Sequence, residues 1–121
     1  MNIAEKISGS VSVMNSDSRI YLHIAAVFAC NFVNHFYNIA SEILKSRNIP
    51  FEVLIPLIKE TTQKIQLMKP EESQTGPAVR FDKNIILKHL TELQGKKNYD
   101  ELYNIISKSI FEHHEKLNNG I

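Results

Sequence analysis

Cysteine is nearly missing from this chain: Cys30 stands alone, so no internal disulfide can staple the fold. Glycine is sparse as well. The four glycines, at 9, 76, 95 and 120, are too scattered for a GxGxxG turn or a phosphate-binding loop, so the chain has no nucleotide fingerprint of its own. Neither sign of charge dominates. Fourteen Lys and Arg against 13 Asp and Glu leave +1, without a long basic block, which argues against a nucleic-acid partner. No apolar run suits a bilayer: residues 20–33, the most apolar stretch, number 14 and include His23 and Asn31. The opening Met1-Asn2-Ile3-Ala4-Glu5-Lys6 lacks the basic start and apolar segment of a secretory signal. A cytoplasmic location with no membrane partner is therefore expected. HExxH, CxxC and GxSxG are all absent, which disfavours zinc chemistry and a nucleophile elbow.

What remains is helix-forming sequence. At 121 residues and 43% hydrophobic, the chain has material for one sizeable core, with one domain the default. Residues 3–9 read as a helix end closed by Gly9, and Ser10-Val11-Ser12-Val13 alternates as a short strand would. A lone strand needs a partner, so this segment is expected to belong to a sheet in another domain. The N-cap cluster Asn15-Ser16-Asp17-Ser18 opens a helix that runs without Gly or Pro to about Ser46, where Asn48-Ile49-Pro50 breaks it. A second helix begins after Pro50, kinks or restarts at Pro56 and reaches about Met68. Residues 69–80, with Pro70, Gly76 and Pro77, show no helical period and read as a loop. Asp82 caps a third helix ending near Gly95, and Asn98 with Glu101 resembles a capping box for a fourth. The expected fold is all-α: a helical bundle around a long central helix, with residues 1–15 as a short N-terminal extension and 16–121 as the helical domain.

Winding of about 100° per residue puts His23, Asn34, Val27, Asn38, Asn31 and His35 on one side of the first helix. The rest of its circumference is apolar, including Ala29, Cys30, Phe32, Val33 and Phe36, so it reads as a buried core helix with Cys30 a small buried hydrophobe. Buried amides and imidazoles must find partners, since each one left unsatisfied costs about 1 to 3 kcal/mol. An internal network, a facing subunit and a ligand all meet that need, and a simple exposed stripe is the remaining reading. His23 and His35 lie about 18 Å apart along the axis, too far to share an ion, and the adjacent His113 and His114 diverge on a helix, so no metal is expected.

The other concentration of site-like chemistry is Gln74-Thr75-Gly76-Pro77-Ala78-Val79-Arg80-Phe81-Asp82. Gly76 permits a turn or a close ligand approach, and Arg80 offers a planar fork for a carboxylate or phosphate. A plain connection in which Arg80 makes a structural ion pair fits equally well. Thr61 and His89 are weaker candidates, since a mid-helix threonine often bonds only to the preceding turn.

Three blocks occur in order: the run from His23 through Asn31-Phe32-Val33-Asn34-His35, then Leu54-Ile55-Pro56-Leu57-Ile58-Lys59-Glu60-Thr61, then residues 74–82 with His89-Leu90. Together, over about residues 20–115, they resemble the C-terminal domain of Rossmann-like proteins carrying domain of unknown function 2520. That family is similar to the C-terminal domains of 6-phosphogluconate dehydrogenase and pyrroline-carboxylate reductase. The resemblance implies a two-domain NADP-binding oxidoreductase in which the helical half dimerises and closes the cleft over the cofactor. It maps the family's polar positions onto His23, Asn31, His35, Thr61, Thr75, Gly76, Pro77, Arg80, Asp82 and His89.

The nucleotide-binding half is not in this sequence, and residues 1–15 look like its trailing end, so Met1 is expected to open a truncated form of a longer protein. The expected function is the dimerisation and substrate-side domain of an NADP-dependent oxidoreductase, inactive alone. No cofactor is expected on this domain by itself, with NADP in the full-length protein. The expected partners are a second copy, the missing Rossmann domain and an unidentified small-molecule substrate. His35 and Asn31 are the catalytic candidates. Thr75, Gly76, Arg80, Asp82, His23, Thr61 and His89 are the substrate-binding ones. A non-enzymatic homodimerisation module and a small-ligand-binding module are the alternatives.

Overall fold

A computed structural model describes residues 15–119. The expected helix end at 3–9, the strand at 10–13 and Gly120 lie outside the described residues, as does all of the N-terminal extension except Asn15. The chain divides into two compact units, Met1–Leu57 and Ile58–Ile121. The described residues are all-α, as the sequence indicates.

In the first unit, the Asn15 side chain accepts a 2.8 Å hydrogen bond from the Ser18 N–H and starts α1 (Ser16–Ala26). Without a break the chain passes through a π-helical segment (Val27–Phe32) into α2 (Val33–Lys45). The run stops where expected. The Ile49 N–H bonds the Leu44 carbonyl and the Asn48 N–H bonds the Lys45 carbonyl, a Schellman pair with Asn48 in the left-handed region at φ 58°. Pro50 then leads into a 3₁₀ turn (Phe51–Leu54) that packs against α2. The α-helical winding of α3 (Ile55–Leu67) starts one residue before Pro56, whose missing N–H is harmless in a first turn.

In the second unit, residues 69–80 are not a plain loop. Two four-residue helices, α4 (Pro70–Ser73) and α5 (Pro77–Arg80), each begin on a proline. They are too short to carry an apolar period, while proline at the first helical position was the available signal. Asp82 caps α6 (Lys83–Leu93) by accepting from the Ile85 N–H at 3.4 Å. Gly95, at φ 79°, follows its end. The last helix, α7 (Tyr99–Asn119), starts without the expected capping box, because the Glu101 N–H donates to the Asp100 carboxylate at 2.9 Å. Helices α5 and α6 pack on α7, Phe81 stacks on Phe111 at 4.6 Å, and Ala78 is 6% exposed.

Ala78 is the one buried residue among those described, which overturns the expectation of a buried central helix. Cys30 is exposed. So are Ile20, Tyr21, Ile24, Phe28 and Phe32. An apolar surface is buried only if another element lies over it. Among the described residues, α1, the π segment and α2 continue one another end to end, and the 3₁₀ turn packs on α2.

Candidate functional site

The polar stripe of the first helical run forms one wall of an open pocket of about 430 Å³. Asn31, Asn34, His35, Asn38 and Ser41 line it from the helix, at spacings of three, four, seven and ten residues from Asn31. Successive helical turns therefore place them above one another. Tyr37 and Phe51 complete the lining, with ring centroids 6.5 Å apart and planes at 57°. The 3₁₀ turn holds Phe51 there, so the break after α2 both ends the helix and supplies an aromatic wall. Among the described residues, no Asp, Glu, Lys or Arg lines the pocket.

His23 does not line it. The sequence reading wound the whole run as α-helix, whereas residues 27–32 form i→i+5 bonds and turn fewer degrees per residue. The first four residues of that segment, Val27 to Cys30, stand between His23 and Asn31 and change the angle between them. The amide partners differ from expectation too. Among the described residues no hydrogen-bond partner holds the side chains of Asn31, Asn34, His35, Asn38 or Ser41, so they form no internal network. The three amides and the imidazole are exposed, which removes the burial penalty that a network would have to offset.

Thr75, Gly76, Arg80, Asp82, Thr61 and His89 belong to the second unit. Gly76 has φ 104° and ψ 175°, a conformation essentially reserved for glycine, although a Cβ there would meet nothing within 4 Å. Backbone shape explains this glycine, and a close neighbour does not. The short α5 ends in another Schellman pair, Asp82 N–H to the Pro77 carbonyl at 2.9 Å and Phe81 N–H to the Ala78 carbonyl at 3.2 Å. Phe81 itself stands in the left-handed position at φ 50°. Arg80 is exposed and makes no ion pair with a described residue, so the structural-pair reading does not apply among them. Thr75 is exposed, its carbonyl accepting from the Gln74 amide at 3.2 Å.

Asp82 is committed to its helix cap and His89 to Tyr103. The His89 Nδ1 and Tyr103 Oη are 2.8 Å apart and the rings meet edge to face at 5.7 Å. Burial pushes the Tyr103 phenol above its ordinary range. Thr61 is exposed on α3. A second pocket, about 290 Å³, lies between α4 and α7, with Gln74, Glu71, His113 and His114 among its lining. The His113 Nδ1 sits 2.8 Å from the Ser109 carbonyl, which fixes the ring against its own helix. Among the described residues no cluster of His, Cys, Asp or Glu is arranged to hold a metal ion. None of the described helices is long and apolar enough to cross a membrane.

Among solved structures, the chain is similar to that of a putative NADP oxidoreductase from Bacteroides fragilis. The two are 47% identical with a TM-score of 0.79, over 82% of this chain and 38% of the other. The chain is an all-α, oxidoreductase-related domain. Residues 1–110 match the model of a domain of unknown function, DUF2520, and the chain belongs to that family. No curated protein matches it. Its match spans well under half the length of the Bacteroides protein.

Proposed function

We propose that this chain is the helical, substrate-side part of an NADP-dependent oxidoreductase, and that it works only with a nucleotide-binding domain. The observation that carries the reading is the 47% identity to a putative NADP oxidoreductase, matched over 38% of that protein's length. In this reading residues 1–15 are the trailing end of the nucleotide-binding half. The described residues do not fit NADP by themselves. Their glycines, 76 and 95, stand far apart, and no strand leads into a glycine-rich turn and helix among them.

The chain's own contribution is the polar wall at the π segment. A π turn inside an α-helix often marks a functional position, and this one ends one residue after Asn31 and three before His35. The His35 imidazole, with one ring nitrogen to donate and one to accept, exchanges a proton with a substrate hydroxyl or amine. Asn31, four residues earlier, orients that group through its amide. Arg80, exposed at the end of the short α5, serves a separate anion-holding role in the second unit.

The test joins this chain to the nucleotide-binding portion of the Bacteroides protein and follows NADPH oxidation over a panel of carbonyl and imine compounds. His35→Ala is expected to lower kcat by about 10²-fold or more with little change in KM. Undiminished turnover in that variant, or NADPH oxidation by the 121-residue chain alone, would overturn the reading.

A second reading, association with another copy of the chain, is favoured by one observation. Ile20, Ile24 and Phe28 recur at every fourth position and are 59%, 46% and 63% exposed. Such a stripe on a helix is the usual surface of a helix–helix interface.

A further inference from the structure

The Asn31–Ser41 pocket has a chemistry that narrows its ligand. Three side-chain amides, a hydroxyl and an imidazole face it, two aromatic rings flank it and no charged side chain among the described residues lines it. An anionic ligand would ordinarily meet an Arg or Lys in its site, and a cationic one an Asp or Glu. Neither is present among the described residues of this lining.

Amides are matched to a different kind of group. Each Asn presents a carbonyl acceptor beside two N–H donors, so it can accept from one hydroxyl and donate to its neighbour. From Asn31 to Asn38 the pocket repeats this donor–acceptor pairing over roughly 10 Å of helix axis. Tyr37 and Phe51 offer apolar ring surface against which the C–H face of a polyhydroxylated molecule packs. The amides and His35 have no partner among the described residues, so a ligand displaces water and no internal hydrogen bond among them.

We infer that this pocket takes a neutral, polyhydroxylated molecule of sugar size, and that the absence of charge in its lining selects against carboxylate and phosphate forms of the same skeleton. The inference rests on the reading of this wall as the substrate side of an oxidoreductase, and it names the class of substrate.

The probes are D-glucitol and its carboxylate counterpart D-gluconate, titrated into the 15N-labelled 121-residue chain without nucleotide, with the side-chain amide signals of Asn31, Asn34 and Asn38 followed by NMR. Glucitol is expected to shift these signals saturably at millimolar concentrations, with gluconate at least about tenfold weaker. The paired substitution Asn34→Ala with Asn38→Ala, both exposed positions, is expected to weaken glucitol about tenfold or more while the far-UV circular dichroism is unchanged. Asn38→Lys, which adds the missing charge, is expected to reverse the order of the two probes. Equal or tighter binding of gluconate to the unaltered chain, or no shift with either probe up to tens of millimolar, overturns the inference. The oxidoreductase reading is judged separately, by NADPH oxidation in the joined protein. A gluconate-preferring pocket leaves it standing, and an unaffected His35→Ala enzyme removes it while the binding result stands.

Discussion

Single residues here carry backbone roles more often than contacts. Gly76 sits at φ 104° with empty space where a Cβ would go. A substitution therefore strains the chain without a clash, and Gly76→Ala is expected to cost about 1–3 kcal/mol, measured as a lowered urea midpoint with an unchanged m-value. A cost near zero would mean that the turn rearranges freely. Asp82 and His89 show how a candidate changes meaning once its partners are seen. The Asp82 carboxylate accepts from the Ile85 N–H, and His89 meets Tyr103, fourteen positions along the chain. The cap was readable from sequence because capping is local. The His89 pairing was not, because nothing near either residue announces a contact across two helices.

At the scale of elements, the starts and stops were legible and the winding was not. Asn15, Asp82, Gly95 and the Asn48-Ile49-Pro50 break all act where their chemistry predicts. The π segment carries no such signature, since its residues are ordinary apolar helix formers with one Asn, and so His23 was grouped with a stripe it does not join. Helices α6 and α7 are tied by the His89–Tyr103 hydrogen bond and edge-to-face rings. Because burial raises the phenol's pKa above its ordinary 10.0, folding favours the neutral form. The resulting stability is complete below about pH 10 and is lost as pH rises through the folded-state value. Thermal unfolding followed from pH 8 to 11 should show this decline, and Tyr103→Phe should flatten it while costing about 1 kcal/mol at neutral pH through the lost hydrogen bond. An equally steep decline in the variant would assign it to other groups.

For the molecule as a whole, what the sequence could not supply was the covering of its apolar surface. The pattern of residues 20–36 is apolar nearly all round, but burial is a property of what lies on top, and Ile20, Ile24 and Phe28 stay exposed even with the Phe32 ring edge-on to Phe28. If a second copy covers this face, sedimentation velocity at tens of micromolar should show a dimer, and Phe28→Asp should shift it to monomer by forcing a charge into an apolar contact. A strictly monomeric wild-type chain would remove the association reading and leave the nucleotide-binding half as the expected cover.

The π segment also bears on which sequence changes this helix can absorb. Most substitutions at its exposed positions alter one side chain and leave the others in place. Losing a single residue between 27 and 32 is a different event, because the surplus that the segment holds would vanish and the remainder would rewind as plain α-helix. Side chains after it would keep nearly their direction relative to α1, because five α-helical steps of about 100° turn the chain about as far as six of the looser π steps. The helix would survive, still capped by Asn15 and closed at Asn48, with its two halves facing as before. Over these six positions the chain can drop a letter that, dropped from plain α-helix, would turn the two halves apart.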